Sequence, residues 1–205
     1  AVLLNHSRHV VGVELNLVIE VREEEKTAAV EKIAVVENPD TCIIFCRTKD
    51  RVDELHDYLY DREYSVDKLH GGMDQSTRLL VMNDYKRGDF RYLVATDVAA
   101  RGIDIENISL VLNYDLPMEK EAYVHRTGRT GRAGLQGKAV TFITPYEHKF
   151  LEAIEEFIGF TIPKVNLPTH EEVNAKAEAF DKKMQSRPQK KKQKNAKVDA
   201  NITKL

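Results

Sequence analysis

The chain has 205 residues, 31 Lys and Arg against 33 Asp and Glu for a formal net charge of -2, and 42% hydrophobic residues. That length and apolar content give one domain of ordinary size with a real core, plus some residues for an extension. No apolar run approaches the roughly 20 residues of a membrane span and no signal-peptide pattern opens the chain, so no membrane partner is expected.

Short β-rich runs alternate with amphipathic ones, the pattern of a mostly parallel sheet covered by helices on both faces. A strand is expected at Val13 to Val21 and a helix from about Glu24 to Glu37. Thr41 to Cys46 reads as the next strand, with Cys42 and Cys46 on one of its faces. Two cysteines without further ligands nearby read as a buried reduced pair, which suits the cytoplasm. In the helix from Lys49 to Tyr60, Val52, Leu55 and Leu59 share one face. A strand at Ser65 to Leu69, a helix at Gln75 to Lys86 and strands at Tyr92 to Thr96 and Leu110 to Asn113 follow. The pattern closes with a helix at Glu119 to Arg126, a strand at Ala139 to Ile143 and a helix at Glu147 to Phe157. Pro39, Gly88, Pro117 and Pro145 fall between elements.

These runs define an α/β, doubly wound fold over residues 1–162. The stretch from about Thr169 to Met184 can form one more helix, within an extension over residues 163–184. Residues 185–205 read as a basic linker or tail without the apolar content to order alone. After residue 181, nine basic residues face Asp199 as the only acid. The preceding body is therefore net acidic, and any nucleic-acid contact there must come from locally clustered arginines.

In such a fold the loops leaving the carboxyl ends of the strands carry function. Three stretches place unusual residues there. In YVHRTGRTGRAG, Tyr123 to Gly134, Arg126, Arg129 and Arg132 recur at every third position with Gly128, Gly131 and Gly134 between them. Clustered guanidiniums favour an anion, and phosphate matches their planar donor fork; a solvated turn with separate ion pairs is the plainer reading. In VATDVAARGIDIENI, Thr96 can donate a hydroxyl to a phosphate and Asp104 can accept from a ribose hydroxyl, while Asp97 reads equally well as the N-cap of a short helix, VAAR. In LHGGMDQSTRLL, Gln75 and Arg78 share the first turn of a helix, where free N–H groups and the dipole attract anions. A plain surface arginine is the alternative for Arg78.

Taken in order, IIFCRT (Ile43 to Thr48), HGGMDQSTR (His70 to Arg78), ATDVAARGID (Ala95 to Asp104), NYDLP (Asn113 to Pro117) and HRTGRTGR (His125 to Arg132) resemble the DEAD-box helicase motifs numbered IV, IVa, V, Va and VI. DEAH-type and RecQ-type helicases usually place Gln where His125 stands. The resemblance covers about residues 10–160 and implies the second RecA-like domain of an ATP-dependent RNA helicase. It implies that Arg129 and Arg132 act as arginine fingers to the ATP γ-phosphate, that His125 and Arg126 bridge to the first domain, and that Asp104, with Gly102 beside it, meets the ATP ribose. Thr48, Gln75, Arg78 and Thr96 would contact the RNA backbone, with Gly71, Asp97 and Arg101 in the same set.

No GxxxxGK[ST] loop, DEAD tetrapeptide or SAT occurs in the chain. ATP and Mg²⁺ would then be held mainly by a first RecA-like domain preceding Ala1, and the chain alone would not hydrolyse ATP. The run FLEAIEEFIGFTIPKVNLPTHEEV, Phe150 to Val173, resembles DbpA-type helicases, which are directed to large-subunit rRNA and carry an RNA-recognition domain that would here lie beyond residue 205. A stand-alone RNA-binding or protein-docking α/β module, and a DNA-translocating superfamily 2 subunit, are the competing readings.

Overall fold

A computed structural model describes residues 15–101, 107–130 and 137–186. In it six strands form one sheet: β1 (Leu15–Glu20), β2 (Cys42–Cys46), β3 (Val66–Leu69), β4 (Tyr92–Thr96), β5 (Leu110–Asn113) and β6 (Lys138–Ile143). Their spatial order is β1-β6-β5-β2-β4-β3, and every pairing is parallel. The intervening helices are α1 (Lys26–Glu37), α2 (Lys49–Tyr60), α3 (Gln75–Arg87), α4 (Asp97–Ala100), α5 (Lys120–Thr127) and α6 (His148–Ile158), with α7 (His170–Ser186) after the sheet.

A parallel sheet buried on both faces calls for continuous apolar strands rather than alternating ones, and β2, CIIFC, is buried at every position. Cys42, Ile44 and Cys46 pack with residues of α1 and α2, whereas Ile43 and Phe45 pack with residues of α3 and α4. A third cluster joins Val18 and Ile143 to Tyr123 of α5 and Leu151 and Ile154 of α6. Burial of each such aliphatic side chain stabilises by about 2 kcal/mol before entropy is counted.

The periodic runs became elements close to the expected spans, and the differences lie at the ends. Glu23–Glu25 form a 3-10 turn before α1 rather than its first residues. Glu119 is extended at φ -102° and ψ 130°, so α5 begins one residue later than expected and runs on to Thr127. Gly88 closes α3 in the left-handed conformation at φ 78°, where a side chain would be strained. Beyond residue 162 the chain stays on the body: Val18 N–H donates to Pro163 O and Val165 N–H to Val18 O, both at 2.9 Å. That segment thereby covers the outer edge of β1, which would otherwise offer unpaired backbone groups to another chain.

Burial also sets an alkaline limit on stability. It pushes the Cys42 and Cys46 thiols well up and raises Tyr92, Tyr114 and Tyr123 to about 12. These groups hold their protons more tightly folded than unfolded. The stabilisation is therefore complete below about pH 8.5, where the unfolded thiols begin to ionise, and declines as pH rises through the folded values. Thermal melts between pH 8 and pH 11 should show a falling midpoint, and thiol reagents should label the two cysteines only after unfolding. A flat midpoint with rapid native labelling would contradict this burial.

Candidate nucleotide and RNA interface

Arg126 is the structural centre of the strand-end loops. On α5 it follows Ala122 and Tyr123 at helical spacing, so it falls on the buried face and is only 2% exposed. Its Nε and Nη2 donate to the two carboxylate oxygens of Asp97, each at 2.6 Å. Nη1 donates to Asp115 O at 2.7 Å and Asn113 Oδ1 at 3.2 Å. The guanidinium also lies over the Phe45 ring, 5.1 Å from its centroid. One side chain thus ties β2 to the end of β5 and to the segment that follows β4. Charge-assisted, bidentate pairs of this kind are the strong hydrogen bonds of a protein interior.

Asp97 is consequently not the N-cap that its position before VAAR allowed. Thr96 caps α4, its Oγ1 accepting from Ala99 N–H at 3.4 Å, because the Asp97 carboxylate is claimed by the buried guanidinium. His125, one residue before Arg126, points to the exposed side of α5 and lines a small pocket with Phe45, Arg101 and Arg129. Arg129 Nη2 donates to Ala100 O at 3.3 Å. Just beyond, Thr130 and Ile108 form a parallel bridge, which joins the arginine segment to the chain entering β5. Gly102, Asp104 and Arg132 lie outside the described residues.

Thr48 and Thr96, both expected from the sequence to meet an RNA backbone, share a geometry. Thr48 Oγ1 accepts from Arg51 N–H at 3.3 Å as the N-cap of α2, as Thr96 does for α4. Each oxygen accepts from the helix behind it, and its O–H remains available as a donor. Gly71 is exposed, and a methyl group there would meet nothing within 4 Å, so packing of the domain does not itself demand glycine. Gly72 differs: its N–H donates to His70 Nδ1 at 3.1 Å, and an added Cβ would sit 3.1 Å from that atom. With Nδ1 accepting, His70 carries its proton on Nε2 and donates to Asp53 Oδ1 at 3.1 Å.

At α3 the structure changes the electrostatic argument. The N-cap Asp74 accepts from Thr77 N–H at 2.9 Å and Thr77 Oγ1 at 2.6 Å, and from the Ser76 hydroxyl. Those hydrogen bonds, Ser76 first, hold its carboxyl well below the usual carboxylate range. A negative charge already satisfies this helix terminus. Any phosphate near Gln75, which is exposed, and Arg78, which is half-buried, must be held by those side chains and not by the helix dipole. Arg101 is exposed and lies 3.6 Å from Glu119.

A buried charged cluster at the same edge was not foreseen. Asp115, 1% exposed, accepts Arg47 N–H on Oδ2 at 2.9 Å, and Lys26 Nζ and Arg51 Nη1 on Oδ1 at 3.1 Å each. Lys26 also meets Glu23 at 2.9 Å, Glu23 pairs with Arg51, and both cations lie over the Tyr114 ring. The available signal was the acid in NYDLP, directly after an apolar strand, where a carboxylate needs cations to be buried at all. Among the described residues no group of three or more His, Cys, Asp and Glu could hold a metal ion. The Asp97 carboxylate is already committed to Arg126. The described residues therefore offer basic and hydroxyl donors suited to phosphate.

A six-stranded parallel sheet flanked by helices, with arginines and threonines on its strand-end loops, is the arrangement of a RecA-like domain. The family described as helicase conserved C-terminal domain matches residues 25–134. The chain is 59% identical over 188 residues to the ATP-dependent RNA helicase DbpA of Bacillus subtilis, covering 92% of this chain and 39% of that protein. A DEAD box protein from Methanococcus jannaschii superposes with a TM-score of 0.70 at 38% identity, over 75% of this chain and 42% of the other. Dbp5 of S. cerevisiae, solved bound to RNA and ADP BeF3, gives a TM-score of 0.72 at 29% identity, over 82% of this chain and 45% of the other. The chain belongs to the helicase C-terminal domain family, as the C-terminal domain of a DEAD-box RNA helicase, and spans about two-fifths of the DbpA relative.

Proposed function

We propose that this domain acts within a longer ATP-dependent RNA helicase, lending arginines to ATP hydrolysis and hydroxyl and basic groups to the RNA backbone. The observation that carries the reading is the Asp97–Arg126 pair, which fastens the Thr96 loop to the helix end bearing His125 and Arg129. A movement at the RNA-facing loop is therefore shared with the phosphate-facing one. Arg129 and Arg132 meet the charge that develops at the γ-phosphate. His125 faces the preceding RecA-like domain, and Gly102 and Asp104 meet the ribose. Arg126 and Asp97 serve from beneath, orienting the groups that touch ligand. Thr48, Gly71, Gln75, Arg78, Thr96 and Arg101 form the RNA-facing set.

ATP, with its Mg²⁺, supplies the phosphoryl group and the negative charge that these side chains are arranged to meet, and both are held mainly by the preceding domain. The reading extends to large-subunit rRNA, with a recognition domain following the basic tail, as the resemblance of Phe150 to Val173 to DbpA-type helicases implies. Two buried thiols support a cytoplasmic setting. Steady-state ATPase assays of the complete helicase with Arg78→Ala test the RNA side. The RNA concentration for half-maximal hydrolysis should rise about fivefold, in the lower range of site coupling, while the rate at saturating RNA stays near that of the parent. An unchanged half-saturation would remove Arg78 from the RNA-facing set.

A further inference from the structure

Asp115 is bonded both to Arg126 at the end of α5 and to the Arg47–Thr48 turn before α2. Its main-chain carbonyl accepts from Arg126 Nη1 at 2.7 Å. Its side chain turns the other way, and Oδ2 accepts from Arg47 N–H at 2.9 Å, fixing the backbone one residue before Thr48. Arg47 Nη2 donates in turn to Leu116 O at 3.1 Å, so the two turns are laced at neighbouring residues. Because Thr48 Oγ1 caps α2, the direction of its free O–H follows from the position of this turn. The carboxylate is held in place by Lys26 and Arg51, and it is 1% exposed. Neither ligand can reach an atom so enclosed, which separates Asp115 from the residues that make contact.

We propose that Asp115 is a positioning residue that couples the two ligand-facing loops: its carboxylate sets the Thr48 hydroxyl toward RNA while its carbonyl seats Arg126. This rests on the RNA-facing reading of Thr48. Charge is essential to the arrangement, because Oδ1 is shared between a lysine and an arginine. Asp115→Asn keeps the shape, removes the charge and leaves the Lys26 ammonium with Glu23 alone. The Arg47–Thr48 turn then loses its fixed acceptor, and RNA occupancy is no longer passed cleanly to the arginine segment.

A double-mutant cycle in the complete helicase tests this, reading the RNA concentration for half-maximal ATPase activity. Thr48→Val and Asp115→Asn should each raise it about tenfold, a typical coupling between sites. Together they should raise it little more than either alone, because Asp115 acts through Thr48. A residue that merely supports the fold would lower the melting temperature and the active fraction, yet give multiplicative effects on half-saturation. If Asp115→Asn melts near the assay temperature, Lys26→Met combined with Asp115→Asn replaces it, since buried cation and anion then leave together. Silence of Thr48→Val would overturn the RNA-facing reading itself. An effect of Thr48→Val with a silent or fully multiplicative Asp115→Asn would overturn the coupling role and leave that reading standing.

Discussion

Replacing Arg129 with alanine in the complete helicase is expected to slow RNA-stimulated ATP hydrolysis by about 10³, the lower end of what an arginine finger contributes. Arg132→Ala should do the same. ATP affinity should weaken far less, because the preceding domain makes most ground-state contacts and the lost interaction belongs to the transition state. Lysine should rescue little at either position, since a point charge does not reproduce the planar fork. The fold should survive Arg129→Ala, because Arg129 is only half-buried and lies past the end of α5, with Nη2 on the main-chain carbonyl of Ala100. Kinetics together with a thermal melt would check it. Near-parental turnover, or a large loss of melting temperature, would make Arg129 a structural residue.

Arg126→Ala should behave in the opposite way. Removing it strands the Asp97 carboxylate and Asn113 Oδ1 and opens a cavity beside Phe45. Breaking a buried pair by deleting one partner costs about 3–5 kcal/mol, and the lower end applies because Asp97 keeps some exposure. For a domain of this size about 3 kcal/mol corresponds to roughly 10 °C in melting temperature. Hydrolysis and RNA affinity should then fall together, since the Thr96 loop and the helix end lose the same brace. Arg126→Lys should recover little, because one ammonium cannot reach Asp97, Asn113 and the Asp115 carbonyl at once. A melting temperature within about 2 °C of the parent, measured by calorimetry, would refute the brace.

Much of this was legible in the amino-acid order. The apolar run CIIFC announced a strand buried on both faces, and Val52, Leu55 and Leu59 announced the packed face of α2. The repeated arginines were legible as a cluster, but which of them is interior was not read. The signal existed: Ala122, Tyr123 and Arg126 fall on one helical face, whereas His125 does not. The partners themselves could not be read, because Asp97 is 29 residues from Arg126, and Lys26 is 89 residues from Asp115. Periodicity reports which side of an element is buried; it does not report which distant strand end arrives there. The capping of α3 by Asp74 has a local signal, an acid directly before the first helical residue, which satisfies N–H groups that would otherwise attract an outside anion.

In the proposed function the arginine segment divides its labour, with Arg126 holding the domain together and Arg129 serving the chemical step. Single-turnover hydrolysis by the Arg129→Ala helicase, with ATP and RNA both saturating, tests it most directly. ATP and RNA should still bind, and the cleavage step itself should slow by about 10³. A normal single-turnover rate, with the loss confined to binding or to the melting temperature, would contradict it.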